Sequence, residues 1–516
     1  MLLFLSCILR IAVTATNGYT NAQTTQNRLK LTVAKQRGTI FDCNMFPLTN
    51  QTKKIIAAVS PTPRAITAIS SVLKDEKKQE VLDQLKKGKP VLCEVPEKIV
   101  CNGIVCTEIY INEDESTQAL HLLGYTDKDN KGVSGISAAY DDILYSENEI
   151  NVYYECSGKG NILEGIEPVV ENDTTVEANG VVTTLDINIQ NIAETAANNL
   201  ECGAVIVAGA SDGKIRASVS RPDFDVNNIE SALSASDSPL LNRAINAYNV
   251  GSVFKPCVAA AGIEGNLAHF CYICTGSCEI VDRHFKCHNF EGHDFLNLES
   301  AIANSCNTYF YNFAFRVGKE KILKTANALR FGSSLKLCNG ISTAKGYVPQ
   351  SQTLDNIAQL ANLSIGQGEL LLSPVSMLTL YSSIACDGLY YSPTVVEGIL
   401  ENGSFKAYET SKPTRAMEKS TANILKKYLS SVLSDGTGVT AQPKTITAAG
   451  KTATAQTGKY ENGVEICQGW FCGFFPLENP QYVIIIFSEN TARQIISCGE
   501  IFAQVADNIT ELKNLK

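Results

Sequence analysis

Two sets of apolar runs, far apart in the chain, constrain the fold more than any other feature. One is Gly203-AVIVAG-Ala210. The other is Gly469-WFCGFF-Pro476 followed by Gln481-YVIIIFS-Glu489. Each is rich in β-branched or aromatic residues and lacks polar alternation, the pattern of strands buried on both faces. Each falls well short of the ~20 apolar residues that cross a bilayer. The last two read as a hairpin. Helical patterns occupy 256–265, 298–314, 318–330 and 353–363, with one more at 187–200 and another at 496–514. Strands at both ends and helices in the middle predict an α+β unit over 181–516: a sheet flanked by helices, with a helical insertion.

Upstream the texture differs. Residues 37–172 mix strand-like runs such as Lys98-IVCNGIVCTEIYI-Asn112 with charged helical stretches such as Val72-LKDEKKQEVLDQLKK-Gly88. This predicts a second, mixed α/β domain. The polar, turn-rich Glu171-NDTTVEAN-Gly180 is the expected boundary. Residues 15–36 are rich in Thr, Asn and Gln and read as a stem. Residues 1–14 are largely apolar but too short to span a membrane, and no basic residue precedes the apolar stretch as in a signal peptide. They fit a signal-like stub, the start of a soluble chain, or the tail of a membrane anchor. At 516 residues the chain can bury a large core without staples. Its 44 basic and 53 acidic residues give a net charge of −9, which argues against a nucleic-acid binder.

Three short motifs carry the candidate chemistry. In Ser252-Val-Phe-Lys255 the i, i+3 spacing puts the Lys255 amine beside the Ser252 hydroxyl if a helix starts there. A serine becomes a nucleophile when a base takes its proton, and a buried lysine of lowered pKa is a competent base. Ser305-Cys306-Asn307 offers a second hydroxyl to move protons and a carboxamide to hold an amide. Lys451-Thr452-Ala453-Thr454 suits an edge strand that pairs with an extended substrate, with Lys451 and Thr452 binding a carboxylate. Singly these are a helix cap, a polar turn and an ordinary strand; Ser-x-x-Lys alone is common by chance. Their order and spacing together are not. Between the first two motifs lies Cys271-x2-Cys274-x3-Cys278-x8-Cys287, with His284, His288 and His293 nearby. This spacing admits a disulfide, free thiols or a metal. The sequence assigns no metal and no cofactor.

The motifs and their flanks resemble the penicillin-recognising serine enzymes, specifically class B penicillin-binding proteins. Leu240-LNRAINAYNVGSVF-Lys255 resembles the run that ends in the S-x-x-K box. Gly292-HDFLNLESAIANSCNTYF-Tyr311 resembles the segment leading into S-x-N. Ser364-IGQGELLLS-Pro374 resembles the glycine-rich turn, and Gly450-KTATA-Gln456 with Trp470-FCGFF-Pro476 the K-T-G strand and its neighbour. Upstream, Arg37-GTIF-Asp42 and Gly132-VSGISAAYDDI-Leu144 resemble motifs of the non-catalytic region.

The resemblance implies a central antiparallel sheet flanked by helices plus a helical subdomain over 181–516, on an N-terminal mixed α/β pedestal over 37–172. It implies D,D-transpeptidation of peptidoglycan stem peptides. Ser252 would be the acylated nucleophile and Lys255 its base. Ser305 and Asn307 would complete the relay, and Lys451 and Thr452 would bind the donor carboxylate. The N–H groups of Ser252 and Thr454 would hold the oxyanion. β-Lactams would mimic the donor. A membrane anchor, an extracytoplasmic catalytic domain and a polytopic membrane glycosyltransferase partner are implied as well. Relatives often carry a cysteine pair near Cys274 and Cys287, so a disulfide there is expected. Ala453 replaces the usual glycine and is expected to weaken β-lactam binding modestly; Val250 replaces a proline. Two other readings stay open: a β-lactamase or D,D-carboxypeptidase with the same Ser-Lys machinery, and a catalytically weak cell-wall scaffold.

Overall fold

The computed structural model describes residues 27–111, 118–163, 165–171, 179–280, 283–461, 463–494 and 496–515. The apolar start, the first part of the stem and most of the predicted domain boundary lie outside these residues.

Five strands form the central sheet: β1 (Gly203–Gly209), β2 (Ile215–Arg221), β3 (Ala449–Glu461), β4 (Val464–Phe475) and β5 (Tyr482–Ser488). Their order is β2-β1-β5-β4-β3, and every pair is antiparallel. The two distant apolar runs thus meet at the middle, where Ile206 faces Ile485. Both faces of β1 and β5 are covered, which explains their unbroken hydrophobicity. On one face lie α1 (Ile187–Ala197) and the last helix, Cys498–Lys513. That last helix opens with a Ser497–Glu500 capping box. The other face is covered by the helix Pro374–Ala385, all twelve residues of which are buried. With no polar face, that helix carries no amphipathic period for sequence reading to find.

The helical insertion holds α2 (Lys255–Glu264), α3 (Leu298–Ala303) and α4 (Asn307–Val317). The single helix expected over 298–314 is broken. Ser305 takes a left-handed φ of 53° and Cys306 an extended backbone (ψ 117°), so α4 restarts at Asn307 with Cys306 as its N-cap.

In the N-terminal third, the strand Arg28–Arg37 pairs with Tyr145–Glu155, which pairs with Val169–Glu171. The stem reading therefore gives way from Arg28 onward: Leu31 and Val33 alternate onto Val152 and Tyr154 and favour a strand. A second sheet, Val91–Val95, Thr52–Val59 and Ile104–Ile111, is covered by the helices Pro63–Val72 and Asp75–Lys86. The strand Thr39–Phe41 runs parallel to Gly180–Val182 and joins a four-stranded sheet continued by Val396–Glu401 and Ser404–Ala407. Buried Asp42 accepts hydrogen bonds from the backbone N–H groups of Asn44, Phe46 and Ile187, the last at the start of α1. Arg37 donates to Asp141 (2.8 Å) and to the Ser137 carbonyl (2.8 Å). The two upstream motifs are thus one contact.

Candidate active site

Ser252 lies in a 3-10 turn, Gly251–Phe254, that runs directly into α2, and the Lys255 N–H donates to the Ser252 carbonyl. The approach to this turn is pinned from several sides. Tyr248 and Asn249 pair with Leu372 and Leu371. The Trp470 indole N–H donates to the Asn249 carbonyl (2.9 Å), and the Asn249 N–H donates to Gln468 Oε1 (3.0 Å). The buried Tyr381 hydroxyl donates to the Val253 carbonyl (3.1 Å). Gly251 (φ +68°) donates its N–H to the Gly366 carbonyl (2.8 Å). Gly366 has φ +73°, and a Cβ there would lie 2.0 Å from the Gly251 carbonyl oxygen. The glycine-rich turn is therefore the backbone seat of the nucleophile's turn.

Lys255 has no exposed surface. Its Nζ donates to the Ser305 carbonyl (2.6 Å) and to Asn307 Oδ1 (2.8 Å), and lies 3.1 Å from Ser305 Oγ. It also sits 5.4 Å over the Phe310 ring. Burial pushes its ammonium down to about 7. The left-handed Ser305 is what turns both the Ser305 carbonyl and the start of α4 toward this one amine. Among the described residues no carboxylate pairs with Lys255. Ser252 Oγ makes no hydrogen bond with it either; the two share a turn but stand apart in this state.

Lys451, on the edge strand β3, is also fully buried. Its Nζ donates to the Thr452 carbonyl (3.1 Å) and to Thr437 Oγ1 (3.5 Å), and Thr437 Oγ1 lies 2.9 Å from Thr452 Oγ1. Burial, and then repulsion from Lys255, hold its ammonium well below the usual lysine range. Two uncompensated lysines flanked by three hydroxyl side chains make a seat for an anion. Thr454 is exposed one step further along the strand. Thr437 was not predicted as a site residue. Its signal, a Gly-Thr-Gly turn between a helix and a strand, points to a turn and nothing more.

Ala453 is 8% exposed. Its methyl turns toward Gly251, where an added Cβ would meet it at 3.3 Å. It crowds the nucleophile's turn and fills little of the open groove. Ala453→Gly is expected to give a modest rise in the rate of acylation by a fluorescent penicillin, at a cost of about 1 kcal/mol in stability. Stopped-flow labelling and denaturant titration check both; a rate no faster than the parent's contradicts the first.

The cysteine cluster needs correction. None of the described cysteines forms a disulfide, so the expected Cys274–Cys287 bridge is absent. Cys271 is exposed and Cys278 half-buried, and neither joins the group. Cys274 and Cys287 converge instead with His293 and with Cys306, the middle residue of Ser305-Cys306-Asn307. The strand Tyr272–Cys274 pairs with Asp294–Leu296, and the hairpin between them closes so that both thiols face inward onto the start of α4. Cys306 was missed because its neighbours lie on the other side of the turn.

A family model of the penicillin binding protein transpeptidase domain matches residues 203–510. The chain belongs to this family. It is 26% identical to stage V sporulation protein D of Bacillus subtilis, over 92% of this chain and 77% of the relative. It is 23% identical to peptidoglycan D,D-transpeptidase FtsI of Buchnera aphidicola, over 77% of this chain and 69% of the relative. Its fold is similar to penicillin-binding protein 3 of Mycobacterium tuberculosis, solved with aztreonam. The TM-score there is 0.67 at 21% identity, covering 94% of this chain and 98% of that one. Together these relatives put the chain with the class B penicillin-binding proteins, as its upstream motifs imply.

Proposed function

We propose that this chain is a peptidoglycan D,D-transpeptidase that crosslinks stem peptides through a serine acyl-enzyme and is acylated by β-lactams. One observation carries the reading: the buried Lys255 amine, held by Ser305 and Asn307 in the turn that follows Ser252. When neutral, this amine directs its two N–H bonds to the Ser305 carbonyl and Asn307 Oδ1. Its lone pair is left for a hydroxyl proton.

Ser252 Oγ attacks the D-Ala-D-Ala carbonyl and Lys255 takes its proton. The N–H groups of Ser252 and Thr454 hold the oxyanion. The proton passes through Ser305 to the leaving nitrogen, and D-alanine departs. An amine of a neighbouring stem then attacks the acyl-enzyme, restoring Ser252. Asn307 holds the donor amide. Lys451 and Thr452, with Thr437, bind the donor carboxylate. A β-lactam follows the same route to the acyl stage and stops there.

Residues 37–172 serve as a pedestal and 181–516 as the catalytic domain. Membrane anchoring and an extracytoplasmic site are proposed from the apolar residues 1–14 and the substrate. No helix among the described residues is long and apolar enough to cross a membrane. A polytopic glycosyltransferase is the proposed partner.

The test is incubation with a stem-peptide donor and an amine acceptor, with product analysis by mass spectrometry. The expected result is D-alanine release matched by crosslinked product, and a penicilloyl adduct that persists for hours. Release matched by hydrolysed donor, with an adduct lost in minutes, would instead identify a carboxypeptidase or β-lactamase.

A further inference from the structure

We infer that Cys274, Cys287, His293 and Cys306 form a tetrahedral zinc site that fastens the cysteine-bearing hairpin to the Ser305-Cys306-Asn307 turn. The four candidate ligand atoms lie within 4.8 Å of one another. The two separations that Cys287 makes, to Cys306 and to His293, match an ion at the centre. Zinc binds thiolate sulfur at about 2.3 Å and imidazole nitrogen at about 2.0 Å. A tetrahedron with those bond lengths sets two sulfurs about 3.8 Å apart and sulfur about 3.5 Å from nitrogen. Cys287 Sγ lies 3.8 Å from Cys306 Sγ and 3.6 Å from His293 Nδ1. A disulfide needs sulfurs about 2 Å apart.

The surroundings fit bound thiolates. Cys274, Cys287 and Cys306 are 1%, 1% and 0% exposed. Three thiols and an imidazole in one buried spot are a donor set that suits zinc and few other ions. Second-layer donors point at the sulfurs: the Thr308 hydroxyl donates to Cys274 Sγ (3.0 Å), and the Tyr309 N–H to Cys306 Sγ (3.4 Å). Cys306 caps α4, where the helix N-terminus favours an anion. The hairpin is preset: the His293 N–H donates to the Cys274 carbonyl (3.0 Å), and the Cys287 N–H to the Gly276 carbonyl (2.8 Å). Gly292 (φ +94°) allows this closure, since a Cβ there would lie 2.2 Å from the Cys274 carbonyl oxygen.

The ion would act as a positioning element. Cys306 is flanked in sequence by the two residues that hold Lys255, so a metal bond to Cys306 fixes the left-handed turn at Ser305. The metal site itself does not depend on the transpeptidase reading; only its effect on acylation does.

The test uses the full chain purified under reducing conditions. Elemental analysis is expected to find about one zinc per chain, the stoichiometry of a closed four-ligand site. His293→Ala and Cys287→Ser are expected to lose most of it, and Cys271→Ser and Cys278→Ser to keep it. Adding Co²⁺ to chelator-stripped parent protein is expected to produce thiolate charge-transfer absorption and the strong visible bands of a tetrahedral ion. This readout needs no variant to fold. Stripping is also expected to lower the melting temperature and slow acylation by about tenfold, with zinc restoring both. The site would be overturned by zinc content and cobalt spectrum both absent from folded parent protein, or by a peptide map that joins Cys274 to Cys287 by a disulfide. Zinc retained by His293→Ala and Cys287→Ser alike would overturn it as well. A metal found without any effect on acylation keeps the site and overturns its positioning role.

Discussion

Lys255→Met is expected to slow acylation by benzylpenicillin by about 10⁴-fold or more, while the protein stays folded. That factor is about 5 kcal/mol of barrier. Stability changes less because two terms oppose each other. Removing the amine leaves the Ser305 carbonyl and Asn307 Oδ1 unpaired, at about 1–3 kcal/mol each. It also removes the cost of burying a lysine that has no exposed surface. Lys255→Arg is expected to fail equally, because guanidinium does not give up its proton. A lysine that only clamped the turn would be partly rescued by arginine.

The pH dependence follows from the same burial. Burial lowers the Lys255 ammonium from 10.5 to about 7. The neutral base therefore appears as pH rises through about 7, and the acylation rate is expected to climb there and level off above. The sign for stability is the same. Between about 7 and 10.5 the unfolded chain binds a proton that the folded chain does not, so this group's contribution to stability rises with pH across that window. Acylation rates of parent and variants from pH 5 to 9 test the account; a flat parent profile contradicts it.

Gly366→Val is the second large expectation. Gly366 adopts φ +73°, and its Cβ position lies 2.0 Å from the Gly251 oxygen and 2.7 Å from the Gly251 carbonyl carbon. The nearest atoms are all backbone of Gly251, which leaves no flexible side chain to yield. Left-handed strain and overpacking together cost roughly 2–5 kcal/mol. Gly366 also accepts the Gly251 N–H, so its displacement moves the turn carrying Ser252. A shift of about 1 Å costs about a hundredfold in acylation rate. Gly458→Ala is the control: it too has positive φ, but nothing lies within 4 Å of its Cβ. It should lose only about 1 kcal/mol and no acylation. Denaturant titration with stopped-flow labelling separates the two.

Much of this was readable in the residues. The unbroken apolarity of β1 and β5 places them at the centre of a sheet, and the motif order places three segments at one site. The edge strand β2, Ile215–Arg221, was not predicted, although Ile215, Ala217 and Val219 alternate with polar residues as in a half-buried strand. The helix Pro374–Ala385 was missed for the opposite reason, being buried all round. The break at Ser305 was illegible because its left-handed backbone is imposed by tertiary contacts, not by the residue's own preference. The parallel pairing of Thr39–Phe41 with Gly180–Val182 joins segments too distant for any local pattern. In the cysteine cluster, Cys274 and Cys287 carried a spacing signal. His293 stood near them in the sequence, and Cys306 joined them only through the fold.

The most direct test of the central claim is intact-mass spectrometry after exposure to benzylpenicillin. The parent chain is expected to gain the mass of one penicillin, mapped to the peptide carrying Ser252, and Ser252→Ala to gain none while keeping the parent's melting temperature. An adduct on another residue, or equal labelling of folded Ser252→Ala, would contradict the assignment of Ser252 as the nucleophile.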